Sequence, residues 1–403
     1  MAYLQTSTHF NNWVFQADEL ARVDRLRVLK AKKALRLERE ASAAAAASAT
    51  TEGSASANNG LKTTRKARSF AALVPASSTA SRDIYDWNDE IDMPLEQAEE
   101  AEEKDGLKLT PLIEYLSVEQ ERLVREYYES KVQESCSQLF RTSDKVKCSA
   151  VMLFKRFYLS NSVMEFHPKY IVPTAIYVAG KVEEQYINVD TIADQLKVDH
   201  KHVIDHEMIL LEGVRFQLIM YHPFRALLGF VDDFRGFSKA QGRDLPLEAL
   251  QKLHANSCVV VNELLLTELP LVHYPAYLAL AALCHVAEEL ERETPALKVT
   301  KADALEYIKR SKFAQGQDVA KVYGTLETIT QRHQAFKTQK AHEQTPGEAE
   351  KLAKQIKKLY KKLKKFHVED GDGKKDDKES KKRKSDDKKD EKKKSKKHKK
   401  DKK

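Results

Sequence analysis

Apolar residues recur at three- and four-residue spacing through most of this chain, which predicts helices and almost no strand. Residues 10–40 begin FNNWVF and continue as ELARVDRLRVLKAKKALRLERE, strong helix formers dense in i,i+3 and i,i+4 charge pairs. Leu20, Val23, Leu26, Val28 and Leu29 form a narrow apolar face, open to two readings: a helix docked on the body, or an isolated solvated one. From Ala41 to about Asn59 the composition turns to Ala, Ser, Thr, Gly and Asn, a linker. Folded structure is expected again near Leu109. Ser117 with Gln120 has capping-box spacing, and Val124, Tyr128, Val132, Cys136 and Leu139/Phe140 line one face of the next helix.

The next stripe is Val146, Ala150, Leu153, Phe154 and Phe157, interrupted at Asn161–Ser162. His167–Pro168 restarts the chain, because proline suits a first helical turn, and Ile171, Ala175, Val178, Ala179 and Val182 continue the pattern. Ala175, Ala179 and Gly180 are small enough to let neighbouring backbones approach. A short helix is expected from about 188 to 196, then one over 200–219 with Val203, Leu210, Leu211, Val214 and Leu218 inward and Glu207 within it. Five helices with short connections make one compact unit. Tyr221-His222-Pro223 opens a second set, whose centre, YPAYLALAALCHVAEEL at 274–290, is apolar nearly all round and therefore expected to be buried on every side. Pro168/Tyr170 correspond to Pro275/Tyr277 at an offset of 107, an internal repeat; at that offset Glu288 stands for Lys181. Thr300 with Asp303 caps another helix, and Val319–Phe336 closes the repeat. A last helix opens at Thr345-Pro346 with Leu352, Ile356, Leu359/Tyr360, Leu363 and Phe366 as a stripe among lysines; it packs on the body, or lies on an anionic membrane or RNA. The expected fold class is all-α: tandem five-helix bundles at 109–221 and 222–338, flanking helices at 10–40 and 345–367, a disordered low-complexity and acidic linker at 41–108 and a disordered tail at 368–403.

Charge refines this picture. The chain has 403 residues, 41% of them apolar, and a net charge of +8. Residues 371–403 carry 18 Lys/Arg against 9 Asp/Glu, which leaves residues 1–370 close to neutral and argues against a nucleic-acid-binding body. KKRK at 381–384 and KKKSKKHKK at 392–400 resemble nuclear-localisation clusters; binding to polyanions is the other reading. Residues 83–105, strongly acidic around Trp87, are either a solvated spacer or a segment for a basic partner. The four cysteines, at 136, 148, 258 and 284, lack CxxC spacing and read as buried free thiols. His200, His202 and His206 cluster in the helix expected over 200–219; His202 and His206 are spaced i,i+4, open to a weak metal pair or to solvated or interhelical histidines. No phosphate-loop, HExxH or GxSxG motif occurs, so neither catalysis nor a metal or cofactor is expected. No apolar run approaches the roughly 18–20 residues of a membrane helix, and the N-terminus lacks signal-peptide order; an intracellular protein is expected.

One set of features is not periodic. FKRFYLSNSVMEFHP, then AGKVEE, then HEMILLEGVRFQL at 206–218, occur in an order that resembles the cyclins, most closely their H type, the cyclins of the CDK-activating kinase and of transcription factor TFIIH. The resemblance covers roughly 117–338, with a fainter echo in FNNWVF. It implies a non-catalytic activator of a protein serine/threonine kinase, in which Lys181 and Glu207 on neighbouring helices, with Val182 and Glu184 beside them, bind the kinase's regulatory helix and activation segment. The implied partners are a cyclin-dependent kinase, here the catalytic subunit of the CDK-activating kinase, a ring-finger assembly subunit and the TFIIH core; the implied location is the nucleus. Cyclins of types C, K and T share the architecture, and a tandem-cyclin-fold transcription factor that binds nucleic acid is the reading from another class. Val124-Arg125-Glu126-Tyr127-Tyr128 is charged and tyrosine-rich where cell-cycle cyclins carry an apolar substrate-docking patch, so that function is not carried over. Glu288 in place of the lysine restricts the expected kinase contact to the first repeat. No membrane is expected as a partner, and nucleic acid only weakly through the basic tail.

Overall fold

The computed structural model of the chain describes residues 7–49 and 114–367, the side chains of 42–49 excepted, and every regular element among them is helical. The linker and tail expected at 50–108 and 368–403 lie outside the described residues. Five helices, α3 (Val118–Glu134), α4 (Asp144–Ser160), α5 (Pro168–Val182), α6 (Val189–Leu196) and α7 (His200–Gly213), make a first bundle in which α5 touches the other four. A second bundle repeats the plan with α8 (Pro223–Ala240), α9 (Leu247–Leu264), α10 (Pro275–Glu293), α11 (Lys301–Arg310) and α12 (Val319–Glu343), and α10 is central in it. The start signals work as their chemistry requires. Ser117 Oγ accepts from the Gln120 amide at 3.2 Å while Gln120 Oε1 accepts from the Ser117 amide at 3.4 Å. His167 caps α5 by accepting from the Lys169 amide, and Pro168 and Pro275 both occupy the first turn of the central helix. The echo at offset 107 thus marks one structural position in two bundles. Gly180 allows a close approach: a Cβ there would stand 2.8 Å from the Gln185 carbonyl oxygen.

Two expected faces shift. The end of α3 widens into a π-turn at Ser135–Leu139, and the extra residue rotates the side chains at its C-terminal end, so Leu139, expected inward, is exposed. The helix expected to reach 219 stops at Gly213; Arg215 and Phe216 take left-handed φ of 58° and 57°, which leaves Phe216 exposed and Leu218 half-buried.

The N-terminal stretch forms two helices rather than one, α1 (Thr8–Trp13) and α2 (Ala17–Ala49). The break serves a contact, since the Phe15 amide donates to the Leu271 carbonyl at 2.7 Å. Beyond Ala41, where a linker was expected, α2 continues through the alanine run to Ala49, because alanine is the strongest helix former. Val23, Leu26, Val28, Ala31 and Leu35 are buried on α3 and α4. Fully buried Arg27 binds Glu121 Oε1 at 2.7 Å, Asp24 Oδ1 at 2.8 Å and the Tyr158 carbonyl at 2.8 Å. Lys155 and Glu129 form a second buried ion pair. α1 touches both bundles: Trp13 Nε1 donates to Gln217 Oε1 at 2.8 Å, its ring lies 4.7 Å from the Arg156 guanidinium, and Phe10 stacks on Tyr274 at 5.2 Å. The last helix, α13 (Pro346–Lys364), packs on α3 and α12 and buries Leu359, Leu363 and, just past its end, Phe366. Phe366 stacks on Tyr115 at 5.9 Å, and Arg39 of α2 lies over both rings, so the two terminal helices meet.

Candidate functional site

Lys181 stands in the last turn of α5 and Glu207 in α7, and their side chains meet at 2.7 Å with 39% and 24% of their surfaces exposed. Tyr177, one turn before Lys181, places its ring 4.2 Å from Nζ. Partial burial works against the ammonium, but the hydrogen bonds to Glu207 and Tyr177 outweigh it, and the lysine is held above its ordinary value. At neutral pH the lysine is therefore fully charged.

The end of α5 is pinned from several sides. Glu183 accepts from Ser149 Oγ at 2.6 Å and approaches His222 Nε2 at 2.9 Å, which ties α5 to α4 and to the entry of the second bundle. Glu184, exposed, turns the chain with a φ of 58° while its amide donates to the Lys181 carbonyl at 3.3 Å. Val182 is half-buried and packs on the core. Of the four expected site residues, the geometry brings Lys181 and Glu207 side chain to side chain; Glu184 joins them through its backbone, and Val182 supports the helix from beneath.

The pair has company that spacing arguments passed over. Ile204 and Met208, at i,i+4 on α7 with Glu207 between them, are 49% and 56% exposed, and Tyr186 in the loop after α5 is 78% exposed. Single exposed apolar side chains are common, but apolar residues bracketing a partly desolvated ion pair form a surface suited to another helix. Tyr177 stands i,i+4 from Lys181, and Ile204 and Met208 are apolar residues off the inward stripe of Val203 and Leu210; those were the available signals.

Among the described residues no group of three or more His, Cys, Asp and Glu could share a metal ion. His202 and His206 pack on Tyr170, with ring centroids at 4.4 and 5.3 Å, and are interhelical. Burial pushes the Cys136 thiol up to about 11 and those of Cys148 and Cys284 to about 12, which makes them inert. No described helix is long and apolar enough to cross a membrane. In the second bundle Glu288 pairs with Lys301 at 2.8 Å, so the equivalent position carries the opposite charge.

The paired five-helix bundles make a cyclin fold, and residues 111–219 match the family model of the cyclin N-terminal domain. Among curated proteins the chain is similar to Cyclin-H1-1 of Arabidopsis thaliana, 40% identical over 176 residues, which is 44% of this chain and 50% of that protein. It is also similar to Cyclin-H of Xenopus laevis, 32% identical over 189 residues, 44% of this chain and 56% of that one. The matches thus span about half the length of these relatives. A chain in the structure of the CAK complex from Chaetomium thermophilum bound to ATP-gamma-S has the same fold, with a TM-score of 0.58 at 19% identity over 91% of this chain and 89% of that one.

Proposed function

We propose that this protein is a regulatory cyclin subunit of the H type that binds and activates a cyclin-dependent kinase. The observation that carries the proposal is the Lys181–Glu207 pair, with exposed Ile204 and Met208 on the same helix as Glu207, on a cyclin N-terminal domain. A protein kinase is active when its regulatory helix is held so that its own Lys–Glu pair forms. A subunit that binds that arrangement better than the inactive one shifts the population toward it without any chemistry of its own. The apolar residues receive the face of the regulatory helix, and the Lys181 ammonium, already oriented by Glu207, reaches carbonyls of the regulatory helix and activation segment. Val182 and Glu184 shape the rim of the same contact. The H-type relatives favour the catalytic subunit of the CDK-activating kinase as the partner, with a ring-finger assembly subunit and the TFIIH core, in the nucleus.

Affinity purification of the full chain from its native cell, with identification of the co-purifying kinase, tests this. The CDK-activating kinase together with a ring-finger subunit is the expected result. A different transcriptional kinase would move the protein to the C, K or T type, and recovery of nucleic acid without any kinase would overturn the reading.

A further inference from the structure

α13 turns Leu359 and Leu363 to the body and leaves a lysine face outward, with Lys354, Lys357, Lys358, Lys361 and Lys365 exposed. Lys357, Lys358, Lys361 and Lys365 make no ion pair among the described residues, whereas Lys351 and Lys354 pair within the helix with Glu348 and Glu350. At the half-buried margin of this face one acidic residue arrives from elsewhere among the described residues. Glu114, where the description of the chain resumes after residue 49, meets Lys362 Nζ at 2.6 Å. Its carboxyl is held below the usual range by that hydrogen bond and by the charges of Lys362, Lys358 and Lys365.

Glu114 therefore lies beside the basic face, close enough to feel Lys358 and Lys365, and the sequence on its N-terminal side is the electrostatic complement of that face. Residues 83–105 hold eleven Asp and Glu against one basic residue, Lys104. The nine residues from Asp105 to Glu114 reach up to about 30 Å when extended, and the 19 residues of α13 are about 28 Å long. We propose that the acidic segment 83–105 is the occupant of the lysine face of α13, with Glu114–Lys362 as the innermost rung. The tether makes the contact intramolecular, so even weak rungs compete well with free polyanions. The Lys-rich tail, of the same sign as α13, does not compete for this face; it competes for the acidic segment.

The test uses the full chain and a short DNA duplex at low salt. Replacing Glu96, Glu99, Glu100, Glu102 and Glu103 by Gln should strengthen duplex binding about tenfold, since each freed lysine adds a phosphate contact. Adding Lys357→Gln, Lys358→Gln, Lys361→Gln and Lys365→Gln should remove that gain. Carbodiimide cross-linking of the unaltered chain should join carboxylates of 83–105 to these lysines and fail at high salt. A gain that survives the lysine substitutions, or cross-links confined to lysines of 371–403, would place the acidic segment on the tail and overturn the proposal. No gain at all would overturn it as well.

Discussion

A Cβ added to Gly213 would come within 2.5 Å of Phe157 Cδ2 and 2.7 Å of Cε2, on a ring that is fully buried. Alanine recovers at most about 1 kcal/mol of helix propensity, while overpacking a filled core costs about 1–3 kcal/mol, so the clash wins and Gly213→Ala should lower the melting temperature. Gly229 in α8 has nothing within 4 Å of the same added atom, and Gly229→Ala should raise it. Thermal denaturation of the two variants checks both signs. Histidine 9 gives a pH dependence. The Arg156 guanidinium and the Tyr221 amide both face its Nδ1, at 3.2 and 3.4 Å, and neither can accept, so the folded protein needs that nitrogen bare. Burial first, then Arg156 and His222, lower its pKa from 6.5 to about 3. The unfolded chain thus takes the proton more readily than the folded one. Stability is whole above the unfolded value and falls as pH drops below it, by about 1.4 kcal/mol per pH unit and so about 2 kcal/mol by pH 5. Buried His167, whose pKa is also lowered, adds to the slope. Melting monitored between pH 7 and pH 5 should show a shallower decline in His9→Gln than in the unaltered chain; parallel declines would contradict the assignment.

At the scale of elements, α2 shows what spacing can and cannot reveal. Val23, Leu26 and Val28 were visible as an apolar face because burial tracks helical periodicity. Arg27 was not, since in a charge-dense helix one more arginine gives no sign of a partner 94 residues away. Among the described residues, removing Arg27 leaves the fully buried Glu121 carboxylate with the Ser162 hydroxyl, at 3.0 Å, as its one hydrogen-bond partner from another residue. Arg27→Ala should therefore cost about 3–5 kcal/mol, and the double change Arg27→Met with Glu121→Leu should cost less than the single one. Chemical unfolding of the set decides it: a double variant less stable than Arg27→Ala would mean that the pair stabilises by more than mutual compensation. The π-turn at Ser135–Leu139 was hidden for a different reason. Widening a turn by one residue leaves the composition unchanged and alters only which side chains face inward.

Over the whole molecule, the tandem plan was legible from two proline restarts at one offset and from the all-round apolar helix at 274–290, now the centre of the second bundle. The role of α1 was not. FNNWVF looks like an amphipathic fragment, and only the fold reveals that it joins the first bundle at Arg156, the connection at Gln217 and the second bundle at Leu271 and Tyr274. For the candidate site, Lys181 and Glu207 were reached through ordered, non-periodic motifs, while Ile204 and Met208 were lost as ordinary surface scatter, because periodicity reports the buried face alone. If this surface holds the active form of a kinase, as proposed, Lys181→Glu compared with the unaltered chain in two readouts shows it most directly. Because the lysine is a partly exposed ion-pair member, the melting temperature should stay within about 3 °C. Activation of the co-expressed cyclin-dependent kinase should fall at least about tenfold, since a reversed charge in a desolvated contact costs several kcal/mol. A folded Lys181→Glu protein that activates the kinase fully would contradict the account.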